Sequence, residues 1–86
     1  MDESIDRLRT IIDKYKSCIY SESDFHISLN SIENSITEYE LYEFKDYLIK
    51  TEASLEHINF MVEEKYRRSE YLKVISQIEE FIKQHF

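Results

Sequence analysis

The chain has 86 residues, a formal charge of −7, and neither glycine nor proline. A chain of this length is one domain, residues 1–86, with a small core and a thin stability margin. Hydrophobic residues make up 42%, close to the ordinary globular range, so a folded chain and not a disordered one is the expectation. The missing glycines exclude phosphate-cradling loops and argue against tight β-hairpins, both of which need positive φ. Helices need neither glycine nor proline, and an all-α fold is the expectation.

The first apolar series is Ile5, Leu8, Ile12, Tyr15 and Ile19, widened by Ile11. Its spacing of three and four residues is one stripe of a helix, expected over 3–20. The polar run Tyr20-Ser21-Glu22-Ser23-Asp24 ends the stripe, and Ser23 or Asp24 is the expected cap of a second helix over 24–36. That helix buries Phe25, Leu29, Ile32 and Ile36, but its Ser and Asn residues are mediocre helix formers.

After Ile36 the stripe changes phase, and the next apolar set is Leu41, Phe44, Leu48, Leu55, Ile58 and Val62. Thr37-Glu38-Tyr39-Glu40 has the spacing of a capping box, so a third helix is expected over 38–67. Thr51, a polar β-branched residue on the stripe, marks 51–54 as the place where so long a helix would bend. A second phase jump leads to Tyr71, Ile75, Ile78 and Ile82. The fourth helix is expected over 70–85 with Ser69 as its cap, and the short connections favour an antiparallel four-helix bundle.

Chemistry-bearing patterns are absent. His26, His57 and His85 have no second histidine one turn away, Cys18 is the only cysteine, and no serine stands in a glycine-flanked elbow. No enzymatic activity, metal or cofactor is expected. The single cysteine excludes an internal disulfide and fits a reducing compartment. Met1-Asp2-Glu3-Ser4 is acidic and no apolar run follows it, so no secretory signal is expected, and no apolar run approaches the roughly 18 residues that span a bilayer. A soluble, cytoplasmic protein with no membrane association is the expectation.

Charge is distributed unevenly. From Ser17 to Phe44 the chain carries Glu22, Asp24, Glu33, Glu38, Glu40 and Glu43 and no Lys or Arg, so −6 of the −7 lies there. Such a field attracts a cationic partner and repels nucleic acid, so direct DNA or RNA binding is not expected. The end of this stretch alternates carboxylates with tyrosines, which suit interfaces by combining apolar area with a polar tip. The candidate partner-binding residues are Glu33, Glu38, Tyr39, Glu40, Tyr42, Glu43 and Tyr47. The competing explanation for the tyrosines is a bundle rim with hydroxyls in water.

In size, charge and helix content the chain resembles bacterial immunity proteins and antitoxins, small acidic helical proteins that mask cationic nuclease surfaces. The likeness implies an inhibitor of a basic protein partner such as a toxin or nuclease. The alternative is a self-associating helical protein, a homodimer with no enzymatic activity. Ile58, Phe60, Met61 and Val62 crowd the end of the third helix, where either the fourth helix or a second subunit has to cover Phe60.

Overall fold

Among the described residues of the computed structural model four helices follow one another: α1 (Glu3–Lys16), α2 (Glu22–Ser35), α3 (Tyr42–Met61) and α4 (Glu64–His85), with one 3-10 turn (Tyr39–Leu41) before α3. The structure describes residues 3–86, and the acidic start Met1-Asp2 lies outside the described residues. Among the described residues there is no strand, so the fold is the expected all-α bundle.

The neighbours are antiparallel. Arg7, near the start of α1, donates to Ser35 at the end of α2, while Tyr15 packs on Phe25. Glu33 meets Lys45, and Asn30 meets Glu52 further along α3. Asn59 meets Tyr71, and Phe44 stacks near Phe81. The resulting body measures 38 × 23 × 22 Å. One core runs through it, built from the stripes read in the sequence: Ile5, Leu8, Ile12 and Tyr15; Phe25, Leu29, Ile32 and Ile36; Leu41, Phe44, Leu48, Leu55 and Ile58; Tyr71, Ile75, Ile78 and Ile82.

The helix ends depart from expectation. α1 stops at Lys16, not at residue 20. Cys18 takes a left-handed φ of 64°, its amide bonds the Tyr15 carbonyl (3.0 Å), and the Ile19 amide bonds the Lys14 carbonyl (2.9 Å). These are the two hydrogen bonds of a Schellman stop, with Cys18 where glycine usually stands. Ile19, expected on the stripe, is therefore turned out and 68% exposed. Arg68 of α4 donates to the Lys16 carbonyl, a group the helix end leaves open, and adds a second donor to the Tyr15 carbonyl that Cys18 already bonds.

α2 begins two residues earlier than expected. Its cap is Ser21, not Ser23 or Asp24: the Ser21 hydroxyl accepts from the Asp24 amide and the Asp24 carboxylate accepts from the Ser21 amide. The capping box expected at Thr37 and Glu40 does not form. Glu38 precedes the 3-10 turn without a side-chain cap, and α3 proper starts at Tyr42.

α3 ends at Met61 rather than 67 and is unbroken through 51–54. Thr51 is buried and donates its hydroxyl to the Tyr47 carbonyl (2.9 Å), so the helix itself satisfies the polar residue on its stripe. The chain reverses at Val62 and Glu63, where Arg67 donates to the Val62 carbonyl, and Ser69 lies inside α4 instead of capping it. Residues 63–70 contain one apolar side chain, Tyr66, so their sequence holds no stripe that could assign them to either helix. α4 does not cover Phe60, which projects into solvent.

Candidate functional site

The candidate site is the corner where α2 passes into α3. Ile36 and Leu41 are buried and pin the two ends of the connection. Between them the 3-10 turn holds Tyr39, Glu40 and Leu41, and only Leu41 turns inward. Tyr39 is 81% exposed and Tyr42 is 51% exposed, with their rings 5.5 Å apart. Glu38, Glu40 and Glu43 are exposed around this pair. Glu43 lies 3.4 Å from the His85 ring, which stacks on Phe81.

Five of the seven sequence candidates are thus together on the surface: Glu38, Tyr39, Glu40, Tyr42 and Glu43. The other two are turned into seams. Glu33 is buried against α3, where Lys45 Nζ donates both to its carboxylate (2.7 Å) and to its backbone carbonyl (2.8 Å). Tyr47 is half-buried, stacked on Phe81 with ring centroids 4.0 Å apart, and burial pushes its hydroxyl above the usual tyrosine range.

The electrostatics of the corner follow from this seating. Lys45 is the first base after the acidic stretch, and it is engaged by Glu33. Lys50 pairs with Asp46, one turn before it on the surface of α3 (3.1 Å). Arg7 lines the same surface pocket as Glu38 and donates to Ser35 (3.1 Å). The carboxylates of the turn are exposed, with Arg7 near Glu38, the His85 ring near Glu43, and Glu40 between them.

Beneath Glu33 lies Glu52, also buried, accepting from Asn30 and hydrogen-bonded with Glu33. Burial raises the Glu52 pKa, the adjacent Glu33 and Glu56 raise it further, and Asn30 opposes them. Two carboxyl groups in hydrogen-bond contact share a proton more readily than they carry two charges.

A groove of 490 Å³ adjoins the tyrosine pair, lined by Ile36, Thr37, Tyr42, Lys45, Asp46 and Ile49. Sequence reading missed Ile49, and the signal was present: it stands one position off the core stripe, next to Leu48, where an apolar residue has no place in the core.

The opposite end of the bundle is built for stability. Tyr15, Phe25 and Tyr71 form a ring triad with centroids 5.5, 5.7 and 6.2 Å apart. Tyr15 donates to Glu22 (2.7 Å) and Tyr71 to Asn59 (2.9 Å). Burial raises the pKa of both tyrosines, and the Glu22 carboxylate adds to the shift of Tyr15. Among the described residues no three His, Cys, Asp or Glu side chains group as a metal site, and no helix is long and apolar enough to cross a membrane. Comparison with the models of known protein families, with curated proteins and with solved structures finds no match to this chain.

Proposed function

We propose that this chain is a small, cytoplasmic, acidic binding module that neutralises or regulates a basic protein partner, in the manner of an immunity protein or antitoxin. The contact surface is Glu38, Tyr39, Glu40, Tyr42 and Glu43, with Glu33 and Tyr47 holding the corner in shape. The observation that carries the reading is the exposed Tyr39–Tyr42 pair among three exposed carboxylates. Tyrosines at the centre of an interface are frequent hot spots, worth about 2 kcal/mol each, and flanking carboxylates speed encounter with a basic surface.

The experiment is a pull-down with the full chain against the products of neighbouring genes, which in a bacterium often encode such partners. Reversing Glu38, Glu40 and Glu43 to Lys should slow association and flatten its salt dependence, and Tyr39→Ala with Tyr42→Ala should speed dissociation. A partner whose affinity is indifferent to all five changes binds elsewhere, and the reading fails.

A second reading, self-association, is favoured by Phe60 and Met61, which α4 leaves exposed. Size exclusion with light scattering decides it: a strict monomer at high concentration removes the homodimer.

A further inference from the structure

The side of α3 that faces away from the core carries a second apolar line. Tyr42, Ile49, Ala53 and Phe60 are separated by seven, four and seven positions, so at 3.6 residues per turn they fall within roughly 20° of one line along the helix. The core line of the same helix, Phe44, Leu48, Leu55 and Ile58, lies roughly opposite. All four outer residues are exposed, Ile49 by 46% and Phe60 by 88%. A helix with one core-facing stripe is polar on its other side, whereas one that is apolar on two opposite sides has a second face to bury.

Charge decides between occupants. The outer line starts at the acidic turn and is flanked by Glu43 and Glu56; of the two bases beside it Lys45 is held by Glu33, and Lys50 and Asp46 pair with each other. A second copy brings the same −7 and sets like charges against these carboxylates. A basic segment meets them with opposite charge. The line runs for about 27 Å, the length of a helix of about 18 residues.

We infer that the outer face of α3 is a docking strip for an amphipathic, basic helix of the partner. Apolar residues of that helix, at one-turn spacing, cover Ile49, Ala53 and Phe60, and one of them fills the 490 Å³ groove between Tyr42 and Ile49. Its Lys and Arg residues flank the strip and reach the acidic turn. The inference rests on the proposed binding of a basic partner and names the element that is recognised.

The test uses the full chain, isotope-labelled, titrated with a synthetic peptide of about 18 residues made of Leu and Lys. Leu stands at the i, i+3, i+4, i+7 spacing. A second peptide of the same composition has its residues permuted to destroy that spacing. The expected result is amide shift changes along residues 42, 49, 53 and 60, peptide helicity gained on binding, and affinity about tenfold weaker for the permuted peptide. Ile49→Asp with Phe60→Asp changes exposed side chains, so folding is retained, and about tenfold of affinity for the ordered peptide should be lost. Shift changes confined to residues 38–43, or equal binding of the permuted peptide, overturn the docking strip and leave the acidic-surface reading standing. No binding of either peptide overturns both. Shift changes along the strip that depend on protein concentration, without peptide, assign the strip to a second copy and overturn the inference.

Discussion

Lys45 Nζ bridges the carboxylate and the backbone carbonyl of Glu33, 2.7 and 2.8 Å away, and so joins the first turn of α3 to the last turn of α2. The one contact ends the helix dipole of α2 with a cation and balances a buried carboxylate. Replacing Lys45 with Met keeps the stem and removes the charge. Glu33 then lies buried beside Glu52 without its cation, and stability should fall by about 2 kcal/mol. For a domain of this size that lowers Tm by roughly 10 °C, read by circular dichroism. Glu33→Gln in the same background should recover much of the loss.

Glu52 sets a pH dependence. Its pKa is raised in the folded state, by burial first and by Glu33 and Glu56 after it. A raised pKa means that the folded chain holds this proton more tightly than the unfolded chain. The stability it contributes is full below the unfolded value, roughly 4.3 for Glu, and is lost as pH rises through the folded value. Glu52→Gln keeps an acceptor for Asn30 and removes the second charge beside Glu33. The variant should melt higher than the natural chain at pH 7, and the gap should close as pH falls toward 4, as shown by melts across that range.

Tyr15 and Tyr71 act at the alkaline end. Both hydroxyls are buried donors with raised pKa, so the folded state keeps them protonated after an unfolded tyrosine has ionised. Their contribution to stability is full below about 10 and declines above it as pH rises through the folded values. Phenolate absorbance should therefore show three of the seven tyrosines, Tyr15, Tyr71 and Tyr47, ionising later than the others. Tyr71→Phe leaves Asn59 without its donor and should cost about 1 kcal/mol at pH 7, measured by urea unfolding.

Cys18 holds a backbone conformation that costs a residue with a Cβ about 1 kcal/mol and costs glycine nothing. Cys18→Gly should stabilise the chain by a little under that amount, since glycine also loses more freedom on folding. Cys18→Val, β-branched, should destabilise it. Thermal melts under reducing conditions separate the three proteins.

Reversal of Glu38, Glu40 and Glu43 to Lys should leave Tm nearly unchanged, because all three are exposed. Surface changes of this kind stay within about 0.5 kcal/mol. A large loss of stability on melting would give these carboxylates a structural role in place of the proposed binding role.

What the sequence determined by itself is the set of buried faces. Spacing of three and four residues is a local property of one helix, so Leu8, Phe25, Leu48 and Ile75 could be assigned to the core before any fold was known. The phase jumps likewise showed that one helix had to give way to another, although the second change, expected at 67–70, falls at Val62 and Glu63. Tertiary structure decided the ends and the surface. A left-handed stop needs no glycine if the bundle holds Cys18 there, and residues 63–70 carry no stripe to show which helix owns them. Whether Glu33 is a surface charge or a buried one depends on Lys45, twelve positions away, and whether Phe60 is covered depends on the path of α4. Periodicity records which way a side chain points from its own helix, and only the packing of the other helices decides what it meets there.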